Sequence, residues 1–239
     1  PGPRCPPRPR HTHSVPFVDP PEPYARLPRL PSPPRALQPY RSEPPEGCVA
    51  SLESVAVDGG VLDLSDAADW EIIDSTLTGV TVDASGDSQL TLLDSVLVDC
   101  DLSRVRLSAL RGSRLAGCKM AGTDLSAGHG RDVVFERCAL LYTNLRMVTL
   151  DRTRFDDCRF DDVDLTEANL TDVSFATTSF SDVNMTKARF ERVDLRGIDE
   201  LGGTLIDSLS GCLIGDRQVQ ALAYALALAT GASIERSPD

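Results

Sequence analysis

The sequence predicts an all-β solenoid, a chain wound into a four-sided coil, with a C-terminal helix and a proline-rich N-terminal arm. Three observations predict it. Large apolar residues recur at every fifth position over much of the chain. Aromatic residues are only 5% of the 239, which suits a thin, repetitive core better than a globular one. Sixteen of the seventeen prolines precede residue 46, so the start of the chain is set apart from the rest.

The arm spans residues 1–46. Proline fixes φ and donates no backbone hydrogen bond, so this stretch is excluded from helices and from sheet interiors. It reads as an extended or disordered tail of polyproline character. Cys5, His11 and His13 are three scattered candidate ligands on that tail, too weak a set for a metal site.

From about residue 113 the five-residue period is plain. Leu115, Met120, Leu125, Phe135, Leu140, Leu145, Leu150, Phe155 and Phe160 continue through Leu165, Leu170, Phe175, Phe180, Met185, Phe190 and Leu195. Two residues before each stands a small or β-branched residue, such as Cys118, Thr143, Val163, Ala168 or Val193. Neither a helical period of 3.6 nor a strand period of 2 produces this. A five-residue unit does fit one side of a square coil, with the large and small residues inward and the other three toward water.

Upstream the pattern is degenerate and in another phase: Leu52, Val57, Leu62, Ile72, Leu77, Val82, Leu92, Leu97, Leu102 and Leu107. Ala67 and Asp87 fall at central positions, and Trp70 stands where a small residue belongs. The phases join between Leu107 and Leu115, through either a two-residue deletion or a three-residue insertion.

Units such as Thr123-Asp124-Leu125, Thr143-Asn144-Leu145, Ala168-Asn169-Leu170 and Val193-Asp194-Leu195 resemble the pentapeptide-repeat family over roughly residues 50–206. That resemblance implies a right-handed quadrilateral parallel β-helix over residues 47–214. Four sides make a twenty-residue coil, so Leu115, Phe135, Phe155, Phe175 and Leu195 stack in one column. Stacked strands about 4.8 Å apart give a rod of roughly 40 Å for eight coils.

Residues 215–231 read as a helix, with Asp216 as N-cap and Gly231 as its stop, followed by a tail over 232–239. Val219, Leu222, Ala223 and Leu226 form an apolar stripe that needs cover. The helix either caps the last coil, whose edge must be protected, or pairs with a second copy. The resemblance implies the second option too, since some family members dimerise through their C-terminal ends.

Catalytic chemistry finds little support. Cys118, Cys138 and Cys158, twenty apart, occupy the small inward position, where cysteine behaves as an apolar filler rather than a metal ligand. His129, in Gly128-His129-Gly130, reads as a surface turn residue with no recognisable nucleophile or second titrating group. No phosphate-cradling loop or nucleophile elbow is present. The chain is therefore expected to be non-enzymatic, with no cofactor and no metal.

The surface remains. The net charge is −12, and residues 47–103 hold twelve acidic groups without one Lys or Arg. Asp63 and Asp83 fall in one outward column, Asp74 and Asp94 in another. Asp161, Asp162 and Asp182 mark a second acidic concentration, and Arg111 and Arg114 lie in a basic stretch at the phase break. This balance argues against direct nucleic-acid binding, and no apolar run is long enough to span a membrane. Seven cysteines without a secreted-scaffold spacing, and no secretory leader, suggest a reducing, cytoplasmic setting. The expected function is a scaffold that binds another protein through its acidic surface. The resemblance also implies an alternative, a DNA mimic modulating gyrase or another type II topoisomerase, of the quinolone-protection type.

Overall fold

The computed structural model describes residues 26, 28, 38–39, 49–65, 67–84, 88–198, 201 and 209–229. The body is a parallel β-solenoid of about eight turns with one short helix. Every named strand pairing is parallel, and from residue 129 to 198 the register repeats every twenty residues, as in Phe135↔Phe155 and Phe155↔Phe175. The expected columns are therefore real. We number the four sides from Leu52, Val57, Leu62 and Ala67, in chain order.

The core is one continuous buried cluster from Ala50 to Leu201. On the second side Phe135, Phe155 and Phe175 stack with ring centroids 4.8 and 5.1 Å apart. Phe160, from the third side, meets Phe155 and Phe175 edge-on at 5.1 and 5.8 Å. The small positions matter equally. Thr143 and Ser95 turn their hydroxyls to carbonyls of the preceding coil, at 2.9 and 3.2 Å from Met120 and Ile72, so burial leaves them satisfied.

Most sides end two residues after their central apolar residue, at a corner in the left-handed region. Asp94, Asp132, Arg152, Asp172 and Arg192 have φ of 47, 55, 47, 53 and 55° there. Asp and Asn tolerate that conformation better than most residues, which explains part of the Asp content at this position.

The phase break is a two-residue deletion. Leu97 pairs with Leu115, eighteen positions on, and the register slips between Leu107 and Ala109. The fourth-side residue Leu107 also lies beside Leu90 on the first side, so the coil closes through Ser108 and Ala109 alone. Gly128-His129-Gly130 is stacked on this shortened side, with Gly130 opposite Leu110. His129 is thus an exposed strand residue and not part of a turn. The degenerate first coil is repaired differently. Leu64 turns inward and is fully buried, while its carbonyl accepts the Trp70 indole N–H at 3.1 Å and the Ser88 hydroxyl at 2.9 Å.

Both ends carry an added layer. Gln38–Pro39 lies on Val55–Ala56, with proline at a sheet edge where it is tolerated. Cys212–Leu213 lies on Val193–Asp194. The helix runs Asp216–Ala229. Its N-cap is Gly215 and not Asp216, because the Val219 N–H donates to the Gly215 carbonyl at 3.1 Å. Asp87, Cys5, His11, His13 and the 232–239 tail lie outside the described residues.

Candidate interaction surface

The third side gathers most of the acidic positions singled out above. Asp63 and Asp83 are register partners near the first end. Asp161, Asp162 and Asp182 lie near the other end, in a pairing that runs from Arg159↔Ser179 to Asp164↔Asn184. Asp63, Asp83, Asp162 and Asp182 are exposed. Asp83, Asp162 and Asp182 have no ion-pair partner among the described residues. Asp63 instead accepts the Ser65 N–H at 2.9 Å, and its hydrogen bonds to Ser65 hold its carboxyl below the usual range. Asp161 is paired with Arg159 at 2.5 Å.

Between these acidic ends the same side carries three charged residues, Asp101 and Lys119, paired at 3.2 Å, and Arg104 at a corner. Ala121, Ala139 and Leu141 stand outward, and Tyr142, 71% exposed, occupies a corner at φ 54°. Four coil steps separate Asp83 from Asp161, or about 19 Å. At the first end a groove of about 490 Å³ is lined by Val61, Asp83, Asp101, Ser103 and Arg104. The buried Ser103 hydroxyl oxygen has no hydrogen-bond partner there among the described residues.

Asp74 and Asp94 are not on this side. They sit at the corner between the first and second sides, Asp74 accepting the Ser54 hydroxyl at 3.3 Å. Arg111 approaches Asp94 at 4.0 Å. Arg114 forms a two-pronged pair with Glu136, at 3.1 and 2.5 Å, which holds the Glu136 carboxyl low. The basic stretch is a belt around the coil, since Arg106, Arg111, Arg114 and Lys119 project from four different sides. It is not a patch.

Further along the Asp74–Asp94 corner runs a column that sequence reasoning missed: Asp132, Arg152, Asp172 and Arg192. Arg152 grips Asp132 at 2.7 and 2.6 Å, and Arg192 grips Asp172 at 2.6 and 2.8 Å. Asp172 is only 2% exposed. The Arg192 guanidinium holds its carboxyl below the ordinary range, with Arg26 adding to the effect. Alternating Asp and Arg at twenty-residue spacing was the available signal.

The small-residue column of the third side contains four buried free cysteines, Cys100, Cys118, Cys138 and Cys158. Cys100 joins the expected three because of the deletion. Contact with Cys118 and Cys158, together with burial, pushes the Cys138 thiol up. Cys212, at the rod's end, is pushed up to about 12 by burial. Among the described residues no three His, Cys, Asp or Glu side chains converge as metal ligands.

At the C-terminal end Leu222 packs on the core, whereas Val219 is 49% exposed and Ala223 also faces outward. The side chain of Leu226 lies outside the described residues. The predicted stripe is therefore split. Gln218, also missed, makes the junction: its amide donates to the Leu195 and Ile198 carbonyls at 2.6 and 2.8 Å and accepts the Gly215 N–H at 2.7 Å. No helix among the described residues is long and apolar enough to cross a membrane.

No curated protein matches the chain. Three solved structures similar to it are pentapeptide-repeat or resistance proteins. Rfr23 from the cyanobacterium Cyanothece 51142 is 22% identical over 41% of this chain and 64% of its own, less than two thirds, with a TM-score of 0.31. HetL from Nostoc sp. strain PCC 7120, involved in heterocyst differentiation regulation, is 17% identical over 70% and 90%, with a TM-score of 0.38. QnrB1, a plasmid-mediated fluoroquinolone resistance protein, is 13% identical over 74% and 99%, with a TM-score of 0.31. Residues 129–203 match the family described as pentapeptide repeat region, the part of the rod whose register is most regular. That match, with the five-residue unit and its twenty-residue register, makes residues 129–203 a pentapeptide-repeat region.

Proposed function

We propose that the chain is a non-enzymatic scaffold that binds another protein along its third side. The observation that carries the reading is the layout of that side, with exposed unpaired carboxylates at both ends and, between them, the paired Asp101 and Lys119, Arg104, and a small-residue stretch bearing the exposed Tyr142. Exposed aromatic residues within a charged rim suit protein contact, where Tyr supplies area and a polar tip. The fitting partner presents basic groups four coil spacings apart along the rod, about 19 Å, matching Asp83 and Asp162, on either side of a less charged strip.

The DNA-mimic alternative receives less support. Duplex DNA offers a phosphate about every 3.4 Å along each strand, so a mimic needs acids at nearly every coil. Here Asp94, Asp161, Asp164 and Asp172 are matched with Arg111, Arg159, Arg146 and Arg192. In the middle of the third side Asp101 is matched with Lys119.

A photo-crosslinking residue at position 142 tests this in cells, with the same residue at Thr149 on the first side as control. Recurrent crosslinks to one protein from position 142 are expected, and joint reversal of Asp63, Asp83, Asp162 and Asp182 to Lys should remove them. Equal labelling from both positions defeats the proposal. A supercoiling assay with a purified type II topoisomerase addresses the alternative; inhibition abolished by the same reversal would favour the mimic.

A further inference from the structure

Met147 is one of four large apolar side chains exposed among the described residues, at 47%. It stands at the corner between the fourth and first sides, a position held coil after coil by Ala127, Met147, Glu167 and Lys187. Beside that column runs another, the outward residues His129, Thr149, Asn169 and Arg189 of the first side, in direct register. Between the two columns the chain turns inward at Gly128, Val148, Ala168 and Ala188, all buried. This edge is therefore a shallow trough with a floor of small residues.

Two grooves open along it. One, of about 470 Å³, is lined by Met147, Glu167, Asn169, Lys187 and Arg189. The other, of about 290 Å³, begins one coil away at Ala127 and Gly128 and reaches Arg106, Asp124 and Ser126. Arg106 comes to the edge through the two-residue deletion, which sets it in register with Gln89, where the first side of the preceding coil begins. Together the linings hold three cations, Arg106, Lys187 and Arg189, against two acids, Asp124 and Glu167. That balance is opposite in sign to a chain whose net charge is −12. Lys187 meets Glu167 at 3.4 Å, whereas the exposed Arg189 guanidinium has no ion-pair partner among the described residues.

We propose that the edge between the fourth and first sides is a second protein-docking surface, whose occupant is an extended acidic segment of another protein. An apolar side chain of that segment rests on Met147, and carboxylates on either side of it face Arg106 and the Lys187–Arg189 pair. Arg106, Met147 and Lys187 follow one another at two-coil intervals, about 9.6 Å each. Polyproline II repeats every three residues, about 9.3 Å, so an acid, an apolar residue and an acid spaced by three match the edge. A β-strand, whose same-face residues recur about every 6.6 Å, does not. The flexible thioether of Met147 adapts to whichever apolar side chain arrives. This occupant carries acids where the partner of the third side carries bases, so the two surfaces select different molecules and can be filled together.

Isotope labelling of the methionine methyl groups reads this out, because the chain has three methionines and the other two, Met120 and Met185, are buried. The probe is the peptide acetyl-Glu-Pro-Pro-Leu-Pro-Pro-Glu-amide, titrated to millimolar concentration into the full chain. The Met147 signal should shift to saturation while those of Met120 and Met185 stay in place. Arg189→Glu changes an exposed side chain and should weaken the apparent affinity about fivefold, the scale of reversing an exposed ion pair. The same peptide with lysines for glutamates should leave the signal unmoved. A Met147 signal that does not respond to the acidic peptide, or responds equally to the lysine peptide, overturns the proposal. So does an affinity that Arg189→Glu leaves unchanged.

Discussion

Gly128 lies so close to Ser108 that a Cβ on the glycine would stand 2.9 Å from the Ser108 carbonyl oxygen. The same Cβ would be 2.7 Å from Leu125 Cδ1, and one on Gly130 would be 2.6 Å from Leu150 Cδ2. The short side through Ser108 and Ala109 and the Gly-His-Gly unit are therefore one feature on two stacked coils. The deletion pulls the coil inward, and the glycines below leave room for it. Restoring the repeat by Gly130→Leu should destabilise the rod by about 1–3 kcal/mol, through overpacking against Leu150. Gly128→Ala should cost a similar amount, because backbone there has no room to move. Urea unfolding of the full chain measures both; a gain in midpoint for either would contradict this packing.

The corners make a prediction of the opposite sign. Thr177 occupies a corner at φ 49°, a conformation that β-branched residues resist. Its side chain is exposed, and the corner needs only its backbone. Thr177→Asn should stabilise the protein by about 0.5–1 kcal/mol, since Asn enters the left-handed region more readily and adds none of glycine's entropy cost. Thr177→Val should lose stability in the same assay.

These two sites show which parts of the structure were legible in the sequence. Inward positions are held to a strict period by the core, so Phe135, Phe155 and Phe175 announced their column. The phase break was visible, but not its sense, because Leu107 serves two sides at once and a linear pattern assigns a residue to one. Leu64 was overlooked for a related reason: it is apolar at a corner position, which the repeat assigns to the surface, yet it is fully buried. Outward positions carry no period from packing. Hence the seven acids chosen by density divide between the third side and the edge carrying Asp74 and Asp94. The Asp132–Arg152 and Asp172–Arg192 pairs depend on corner geometry that the repeat itself does not encode.

Acid should weaken the rod through those pairs. Arg192 keeps the Asp172 carboxyl, and Arg114 the Glu136 carboxyl, below their ordinary pKa values. A group depressed in the folded state contributes stability above its unfolded pKa, and the contribution disappears as pH falls through the folded value. Thermal midpoints should therefore hold between about pH 5 and 8 and decline below about pH 4, where unfolded carboxylates begin to bind protons. Asp172→Asn fits the same corner and removes the charge. It should cost about 1–3 kcal/mol near neutrality, the loss of charged hydrogen bonds to a buried group, and progressively less toward pH 2. A constant difference across that range would refute the linkage.

The C-terminal end depends on Gln218. Beyond the Cys212–Leu213 layer, the Gln218 amide reaches the Leu195 and Ile198 oxygens of the last coil while its own carbonyl takes the Gly215 N–H. One side chain thus closes the rod's edge and starts the helix, supplying the half of a capping box in which the third helical residue reaches back to the N-cap N–H. At 3% exposure, water has little access to the groups it satisfies. Gln218→Ala should leave the Ile198 carbonyl and the Gly215 N–H unpaired, while the Leu195 carbonyl keeps the Ile198 N–H, at about 1–3 kcal/mol in total stability. Gln218→Glu is the sharper test, because it keeps the acceptor for Gly215 but turns repulsive oxygens toward both carbonyls, so it should be the worse variant. Hydrogen exchange locates the damage: faster exchange confined to the last coil and to Asp216–Ala229 is expected, with protection at the Phe155 coil unchanged. Equal losses along the whole rod would mean that the end cap holds more than the end.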